Sequence, residues 1–397
     1  MSYKNIYSIK KEKFDFLLIL FSAMLCVPFS VFSGFTDIYF TLSFLMMSSI
    51  YLISNSNLNK KSIKVLTVSF SIMILFSLIY IGFDLGYVHS LIIQLVYLTL
   101  MIAIYLYFTS ATRLESAKPI FMKIIIFVSV VTIMAFLGAT FKIIPFPMRT
   151  IGGYDIGYNF LFGGVSMKGF YRPQWYFSEP SYLGFFLGFA FLFLKKQYWI
   201  KYRIVKLALV FIAGVLVFSM TFYFSMIIGL ISELIIIRIT RFMNPMNLSK
   251  VYLVSFVIIS AIYITQLNKV GKVFFSDYST SFINRKNRID LSLATLKKMN
   301  FWELSVGKGT GFISIDKTRK MAESDSYIRT LIENGAIVLI IYLFIIYYFL
   351  RNNPSLLLYT LVALSSVVVL ETPFFMLIIL LAGESGKKIP HKIQLVT

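Results

Sequence analysis

Apolar residues recur along the chain in runs close to the ~20 residues that an α-helix needs to cross a bilayer. Runs of this length indicate helices, and their repetition predicts an all-α polytopic membrane protein. The apolar run 204–239 is too long for one crossing, so we divide it at a tight hairpin, Ser219-Met220-Thr221. The pattern then predicts about 12 transmembrane helices, at 14–33, 38–53, 62–82, 88–108, 120–141, 181–194, 204–218, 221–239, 251–265, 336–350, 355–370 and 372–383.

Basic residues are shared unequally between two alternating sets of connecting segments. The set that includes the amino terminus holds 22 of the 38 Lys and Arg residues but only five of the 17 Asp and Glu residues. The positive-inside rule assigns this set to the cytoplasm. The chain is therefore predicted to be one integral-membrane domain, 1–397, with both termini cytoplasmic. Two large extracytoplasmic loops are predicted at 142–180 and 266–335.

Composition supports a membrane protein. The chain is 58% hydrophobic, with a mean hydropathy of +0.81. A net charge of +21 is also typical of nucleic-acid-binding proteins, but here the cations lie in short segments between apolar runs, so no nucleic acid is expected. The first run, 14–32, is too long for a signal-peptide core and is predicted to be a membrane helix. A single cysteine, Cys26, excludes a disulfide framework.

The stretch 169–188 passes from a polar, aromatic-rich loop into an apolar helix. Pro180 suits a first helical turn, where its missing N–H costs no hydrogen bond. Ser178 or Glu179 would serve there as a helix cap, because a carboxylate interacts favourably with the positive end of the helix dipole. Alternatively, Arg172 and Glu179 form a catalytic or substrate-binding pair at the membrane surface.

The second outer loop contains a predicted amphipathic helix. Its apolar residues, Ile289, Leu293 and Leu296, recur at helical spacing. We expect this helix to lie on the membrane with its opposite, basic face towards water or phosphate. That face is formed by Arg285, Arg288, Ser292 and Thr295.

Two further segments of this loop each allow a structural and a functional interpretation. Asp325, Arg329 and Glu333 stand at i, i+4 and i+8, the spacing of an ion-pair ladder on one helix face. The glycine-rich segment 307–311 is either a plain turn or a turn whose backbone N–H groups approach an anion.

The candidate chemistry is metal-free. The only histidines, His89 and His391, are predicted on opposite sides of the membrane, and neither outer loop has an Asp-x-Asp motif. Nucleotide-binding motifs are absent from the sequence, so no cofactor is expected. Guanidinium groups bind phosphate bidentately, although any single one of them is also suited to a headgroup contact or a surface ion pair. Those on the outer side are Arg149, Arg172, Arg285, Arg288, Arg319 and Arg329.

Three features of the region 120–350 resemble the bacterial O-antigen polymerase family, in the superfamily that also holds the O-antigen ligases. Their order, spacing and shared side of the membrane carry the resemblance. They are Arg172-Pro173 before Glu179-Pro180-Ser181 and Gly184; Arg288 before Gly307-Lys308-Gly309; and Ser324-Asp325-Ser326 before Glu333-Asn334-Gly335.

The resemblance implies a GT-C-like glycosyltransferase of lipopolysaccharide biosynthesis, at the periplasmic face of the bacterial inner membrane. It would join oligosaccharide units linked to undecaprenyl diphosphate. Its partners would be these lipid-linked oligosaccharides, membrane lipids and a chain-length regulator protein. On this basis Arg172 and Arg288 bind the substrate diphosphate, and Glu179 and Asp325 are the candidates to accept the acceptor's proton.

Two alternatives stay open. An O-antigen ligase is the first, but ligases carry a histidine where this chain has Ser324. A polysaccharide-unit flippase or other transporter is the second. Transporters usually show internal repeats and ionisable groups at mid-membrane. Here the polar membrane residues are chiefly Gln94 and Glu233, both predicted near helix ends.

Overall fold

The computed structural model describes most of the chain, as thirteen helices and one small β-sheet. The architecture of this part is predominantly α-helical. The described residues are 3–25, 38–56, 85–108, 111–141, 148–151, 154–157, 164–167, 170–173, 180–197, 201–239, 246–257, 292–309, 312, 326–365, 370 and 372–383.

The helices follow the apolar runs of the sequence. They are α1 Tyr3–Leu25, α2 Ile38–Ser54, α3 Leu85–Tyr107, α4 Ala111–Thr140, α5 Pro180–Lys195, α6 Arg203–Leu216, α7 Met220–Ile239, α8 Met246–Val257, α9 292–298, α10 Phe301–Val306, α11 Ser326–Leu350, α12 Pro354–Leu364 and α13 Pro373–Gly383.

Most predicted helix positions are confirmed within a few residues. The hairpin predicted at 219–221 is confirmed as well, because α6 ends at Leu216 and α7 begins at Met220. The helix predicted at 62–82 lies outside the described residues.

Two helical stretches, Arg113–Thr140 and Ser326–Leu350, are long and apolar enough to cross a membrane. Shorter apolar stretches of 10–17 residues lie within other helices, among them Ile92–Tyr107 in α3 and Thr221–Ile235 in α7. A span of ~20 apolar residues is the usual requirement, so by length and composition these two stretches could each span a membrane.

A four-stranded antiparallel sheet interrupts the helical architecture inside the predicted loop 142–180. Its strands pair in sequence order, β1-β2-β3-β4, and are Met148–Ile151, Tyr154–Gly157, Gly164–Met167 and Phe170–Pro173. In the last pair, Val165 stands opposite Arg172. The first predicted outer loop therefore contains a β-meander that packs through β4 against α4.

Helix α5 forms the centre of the hydrophobic core, because nearly all its side chains are buried. Gly188 lets α12 approach closely, since a Cβ there would lie 2.3 Å from the hydroxyl of Tyr359. That hydroxyl donates to the carbonyl of Phe185 at 2.7 Å. Three aromatic rings of α5 pack against rings of α4 and α13. The pairs are Phe186 and Phe193 with Phe121, Phe185 with Phe375, and Phe186 with Phe374.

A buried carboxylate connects three helices at one end of the bundle. Asp15 of α1 is 2% exposed and accepts hydrogen bonds from the hydroxyls of Tyr51 in α2 and Tyr107 in α3, both at 2.8 Å. Arg113 of α4 lies over the ring of Tyr107 at 4.4 Å and donates to the carbonyl of Asn55 at 2.8 Å. Hydrogen bonds to the charged form offset the desolvation of the buried carboxylate.

Helix α11 consists of two helical parts separated at Gly335, whose φ is 78°. Only glycine adopts this backbone region without strain. The second part begins at residue 336, which the apolar pattern predicted as the start of a membrane helix. The first part, 326–334, belongs to the candidate site.

Candidate functional site

The first part of α11 carries a buried ion pair. Arg329 Nε donates to Glu333 Oε2 at 3.1 Å. The Glu333 side chain is fully buried, whereas that of Arg329 is 21% exposed. A carboxylate at this depth is stable only when a cation or several donors compensate its charge. The ion-pair ladder predicted from spacing is confirmed for these two residues, and Asp325 lies outside the described residues.

A capping box starts the short helix α10. The backbone N–H of Glu303 donates to the side chain of Asn300 at 2.8 Å, and the N–H of Asn300 donates to Glu303 Oε2 at 3.0 Å. The reciprocal bonds satisfy two N–H groups that a helix start otherwise leaves open. Glu303 Oε1 also lies 3.5 Å from Lys308 Nζ, which links the helix start to the following turn.

Two glycines bring that turn and α11 into backbone contact. Gly307 has a φ of 89°, and a Cβ on it would lie 2.3 Å from the carbonyl oxygen of Glu333. A Cβ on Gly335 would lie 2.3 Å from the carbonyl oxygen of Ser305. Each glycine therefore fits against the other segment because it has no side chain. We call these two segments, residues 300–309 and 326–335, the junction.

Backbone hydrogen bonds close the junction. The N–H of Lys308 donates to the carbonyl of Ile332 at 2.7 Å, and the N–H of Gly309 donates to that of Glu333 at 3.0 Å. These bonds satisfy carbonyls that the break at Gly335 leaves without a helical partner. The two amides are thus directed at the protein's own backbone and not at an anion, which supports the plain-turn interpretation of this segment.

The orientation of α9 differs from our expectation, because the helix contributes to an apolar cluster beside the junction. Ile328 and Ile332 of α11 pack with Leu296, Met299 and Phe312. Ser292 and Thr295, which we assigned to a face directed at water, are buried. The expected orientation is therefore wrong for these two residues, because α9 packs in the folded chain instead of resting on a surface by one apolar side. Arg288, from the same predicted face, lies outside the described residues.

Arg172 stands on β4, ahead of α5. Its side chain is half-buried, and its positive charge acts on the hydroxyl of Tyr223 near the start of α7. Burial raises the pKa of the neighbouring Tyr171 far above its ordinary value. Pro180 is the first residue of α5, which confirms its predicted place in the first helical turn, and its side chain is buried. Glu179 lies outside the described residues.

Of the four predicted site residues, the structure therefore describes Arg172 alone. It also brings together the two glycine-containing segments of the junction, 300–309 and 326–335. The link between Glu303 and the turn was not predicted, although Asn300 and Glu303 have the spacing of a capping box. Among the described residues, no group of three or more His, Cys, Asp or Glu side chains is placed to hold a metal ion.

Comparison of the chain with family models, with curated proteins and with solved structures finds no match.

Proposed function

We propose that this chain is an integral-membrane glycosyltransferase that polymerises oligosaccharide units carried on a lipid diphosphate, as the resemblance to O-antigen polymerases implies. The junction is the observation that carries the proposal. It joins Gly307-Lys308-Gly309 to Glu333-Asn334-Gly335 by two backbone hydrogen bonds and two reciprocal glycine contacts. These segments contribute to two of the three features on which the resemblance rests.

The proposal includes twelve membrane helices in the inner membrane, both termini in the cytoplasm and the junction at the periplasmic face. Contacts between described helices support this arrangement, because they join residues that the charge pattern assigns to one side. On the cytoplasmic side these are Arg113 with Asn55, Lys195 with Glu233, and Ser249 with Arg351. On the periplasmic side, the N–H of Leu370 donates to the hydroxyl of Ser326.

In the proposed reaction, a hydroxyl of one lipid-linked unit attacks the anomeric carbon of the growing glycan on another. The new glycosidic bond forms as the bond from that carbon to the diphosphate oxygen breaks, so the configuration inverts and the lipid diphosphate leaves. Glu179 or Asp325 accepts the hydroxyl proton. Arg172 and Arg288 stabilise the negative charge of the departing diphosphate, a role that preorganised guanidinium groups serve without a metal.

The ion pair between Arg329 and Glu333 argues against Arg329 as a ligand of the diphosphate. Glu333 already balances the charge of Arg329, so binding a diphosphate at Arg329 would compete with a carboxylate 3.1 Å away. Glu333 would also repel the anion. We therefore assign Arg329 to holding the junction together and keep Arg172 and Arg288 as the diphosphate ligands.

Deletion of the gene, followed by gel analysis of lipopolysaccharide, tests the function. A polymerase mutant makes core that bears a single repeat unit. Core without any repeat unit would indicate a ligase or a flippase instead, and an unchanged ladder would exclude all three. Complementation with the wild-type gene, at the same membrane abundance, must restore the ladder.

A further inference from the structure

The short helix α10 exposes most of its large apolar side chains. Phe301 is 85% exposed, Trp302 is 58% exposed and Leu304 is 38% exposed. Phe301 and Leu304 are three positions apart and lie on one side of the helix, and Trp302 lies next to that side. Exposed apolar groups that adjoin in this way mark a contact site for a membrane, a protein or a ligand. We call these three side chains the apolar patch.

The junction holds α10 beside the point where α11 changes from polar to apolar. Ser305 of α10 contacts Gly335, since a Cβ on this glycine would lie 2.3 Å from the carbonyl oxygen of Ser305. Residues 336–350 of α11 contain no charged side chain, whereas the helical part before Gly335 carries the ion pair of Arg329 and Glu333. The contact therefore places α10 at the level of this boundary.

Exposed apolar residues of α11 begin directly after the boundary. Ile337 is 43% exposed, and Ile340 and Phe344 are 64% and 62% exposed. Ile337 lies only about 3 Å further along the helix axis than Gly335. In the proposed topology, in which α11 spans the membrane, these side chains contact lipid. Lipid therefore begins close to the level of α10.

The charge around the apolar patch is positive. Residues 292–309 contain three lysines and one acidic residue. The acidic residue, Glu303, is balanced within the protein by Lys308 and by a backbone N–H at the start of its own helix. Lys297 and Lys298 are exposed at the end of α9, shortly before α10. Lysines combined with exposed aromatic residues are typical of segments that lie on a membrane surface.

We propose that α10 lies on the outer leaflet of the membrane, with the apolar patch inserted among the lipids and with Lys297 and Lys298 at their phosphates. Tryptophan is enriched at this level, because its ring is apolar and its N–H is polar. An interfacial helix buries its apolar side about 5–10 Å into the boundary between headgroups and acyl chains. This contact rests on the proposed span of α11, and it keeps the junction at the surface where a lipid diphosphate lies.

Three single-cysteine variants of the full-length protein measure depth in the bilayer. The only natural cysteine is first removed by Cys26→Ser, and Phe301→Cys, Lys298→Cys or Ile340→Cys is then added. All three added cysteines replace exposed side chains, so the fold should be retained. Each variant is labelled with a fluorophore in nanodiscs of phosphatidylcholine and phosphatidylglycerol. The quenchers are aqueous iodide and lipids that carry a spin label at the top or in the middle of the acyl chain.

We expect a different quencher to act most strongly at each position. The label at 301 should be quenched most by the lipid with its spin label at the top of the chain. The label at 340 should be quenched most by the lipid labelled in the middle of the chain, and the label at 298 by iodide. Residue 298 is the matched control, because it is exposed only three positions from Phe301.

A second comparison tests the two lysines. A lysine near an anionic membrane surface shifts binding by about fivefold. Lys297→Gln/Lys298→Gln should therefore weaken lipid quenching at 301, and so should omission of phosphatidylglycerol. Lys250→Gln removes an exposed lysine of α8 and should leave this quenching unchanged.

The outcome at 340 separates failure of this contact from failure of the proposed topology. Equal iodide quenching at 301 and 298, with lipid quenching kept at 340, would overturn the contact and make the apolar patch a site for a protein or a glycan. Loss of lipid quenching at 340 as well would overturn the proposed span of α11 together with the contact. Unchanged quenching at 301 in Lys297→Gln/Lys298→Gln would overturn the role of the two lysines.

Discussion

The junction and the connection between α5 and α6, residues 195–206, differ in how their charges are balanced. In the junction, two carboxylates meet two cations, as Arg329 with Glu333 and Lys308 with Glu303. Residues 195–206 contain five cations and no acidic residue, and Glu233 of α7 forms an ion pair with one of these cations, Lys195. The carboxylate of Glu333 is therefore compensated although it is fully buried, whereas Lys196 is destabilised although it is only half-buried.

The difference shows that a net charge of +21 does not tell where positive charge is available to a ligand. The positions of the few acidic residues determine which cations are already balanced by a carboxylate and which are available to a ligand. A guanidinium beside a buried carboxylate maintains the fold, and an ammonium beside other cations attracts an anion. The comparison can be tested with variants that affect one region and leave the other intact.

The largest predicted effect is on the polymerisation rate, and it distinguishes a catalytic role of Glu179 from a helix-capping role. If it accepts the acceptor's proton, Glu179→Gln should lower the polymerisation rate by about 100- to 10,000-fold without loss of membrane abundance. A capping role is worth only about 0.3–2 kcal/mol, and Glu179→Asp would fulfil it. The measurement is the chain-length distribution of the polymer.

Lys201→Gln, in the connection between α5 and α6, is the control for this experiment and should leave chain lengths unchanged. Wild-type chains from Glu179→Gln at equal abundance would exclude Glu179 as the base and direct attention to Asp325. Shortened chains from Lys201→Gln would instead contradict the separation of the two regions.

The second effect concerns the stability of the junction. Glu333→Ala leaves the guanidinium of Arg329 without its buried carboxylate, and breaking such a pair costs about 3–5 kcal/mol. We expect a large fall in the melting temperature of the purified protein. Lys308→Gln is the matched control, because it removes a more exposed pair worth about 0–1 kcal/mol. Similar melting of the two variants would show that Glu333 does not hold the junction.

The third prediction concerns the backbone contact between Gly335 and Ser305. Gly335→Ala places a residue with a side chain at a φ of 78°, which costs about 1–3 kcal/mol, and its Cβ would also overlap the carbonyl of Ser305. Gly229→Ala is the control within the helical core, where the added Cβ meets the movable end of Leu192 at 3.0 Å. We expect Gly335→Ala to melt clearly lower than Gly229→Ala. Equal melting would contradict the glycine requirement.

The smallest effect is a pH dependence at Lys196. In the folded chain its pKa is lowered by burial from 10.5 to about 8. Between these values the unfolded chain binds more protons, so the free energy of unfolding should rise with pH. Below pH 8 the cost is complete, and Lys196→Met should stabilise the protein by at most about 3 kcal/mol.

The measurement is the difference in melting temperature between the wild type and Lys196→Met from pH 7 to 10.5, in phosphatidylcholine. Lys195 and Glu233 face the same ammonium and are unchanged in both proteins. Lys206→Met controls for the loss of one charge. A constant difference over the whole pH range would contradict the effect of burial.

The helices were predictable because each needs only a continuous apolar run. The hairpin between α6 and α7 illustrates this, since length alone required a division at 219–221. The β-meander was not predicted, because its strands have four residues each in a segment rich in glycine. Strands this short contain too few positions to show a clear alternation.

The candidate site was less predictable because its geometry depends on contacts between distant residues. Spacing alone identified Arg329 with Glu333, which are one helical turn apart. No local pattern relates Lys308 to Ile332, whose backbone bond closes the junction. The polar residues Ser292 and Thr295 misled the prediction of a water-facing side. A serine or threonine hydroxyl can be buried in a helix because it can donate to a backbone carbonyl one turn earlier in the same helix.

The buried carboxylate of Asp15 has a consequence for how the protein is made. Its two hydrogen-bond donors come 36 and 92 residues later in the chain. At about 5–20 residues per second, a ribosome needs roughly 5 to 20 seconds to synthesise the second of them. Throughout this interval the first helix lacks the partner that completes its polar contacts. In the proposed membrane topology, release of α1 into lipid before α3 has emerged would leave the Asp15 carboxylate without the hydroxyl of Tyr107. We therefore expect α1 to be released into lipid only after α3 is available.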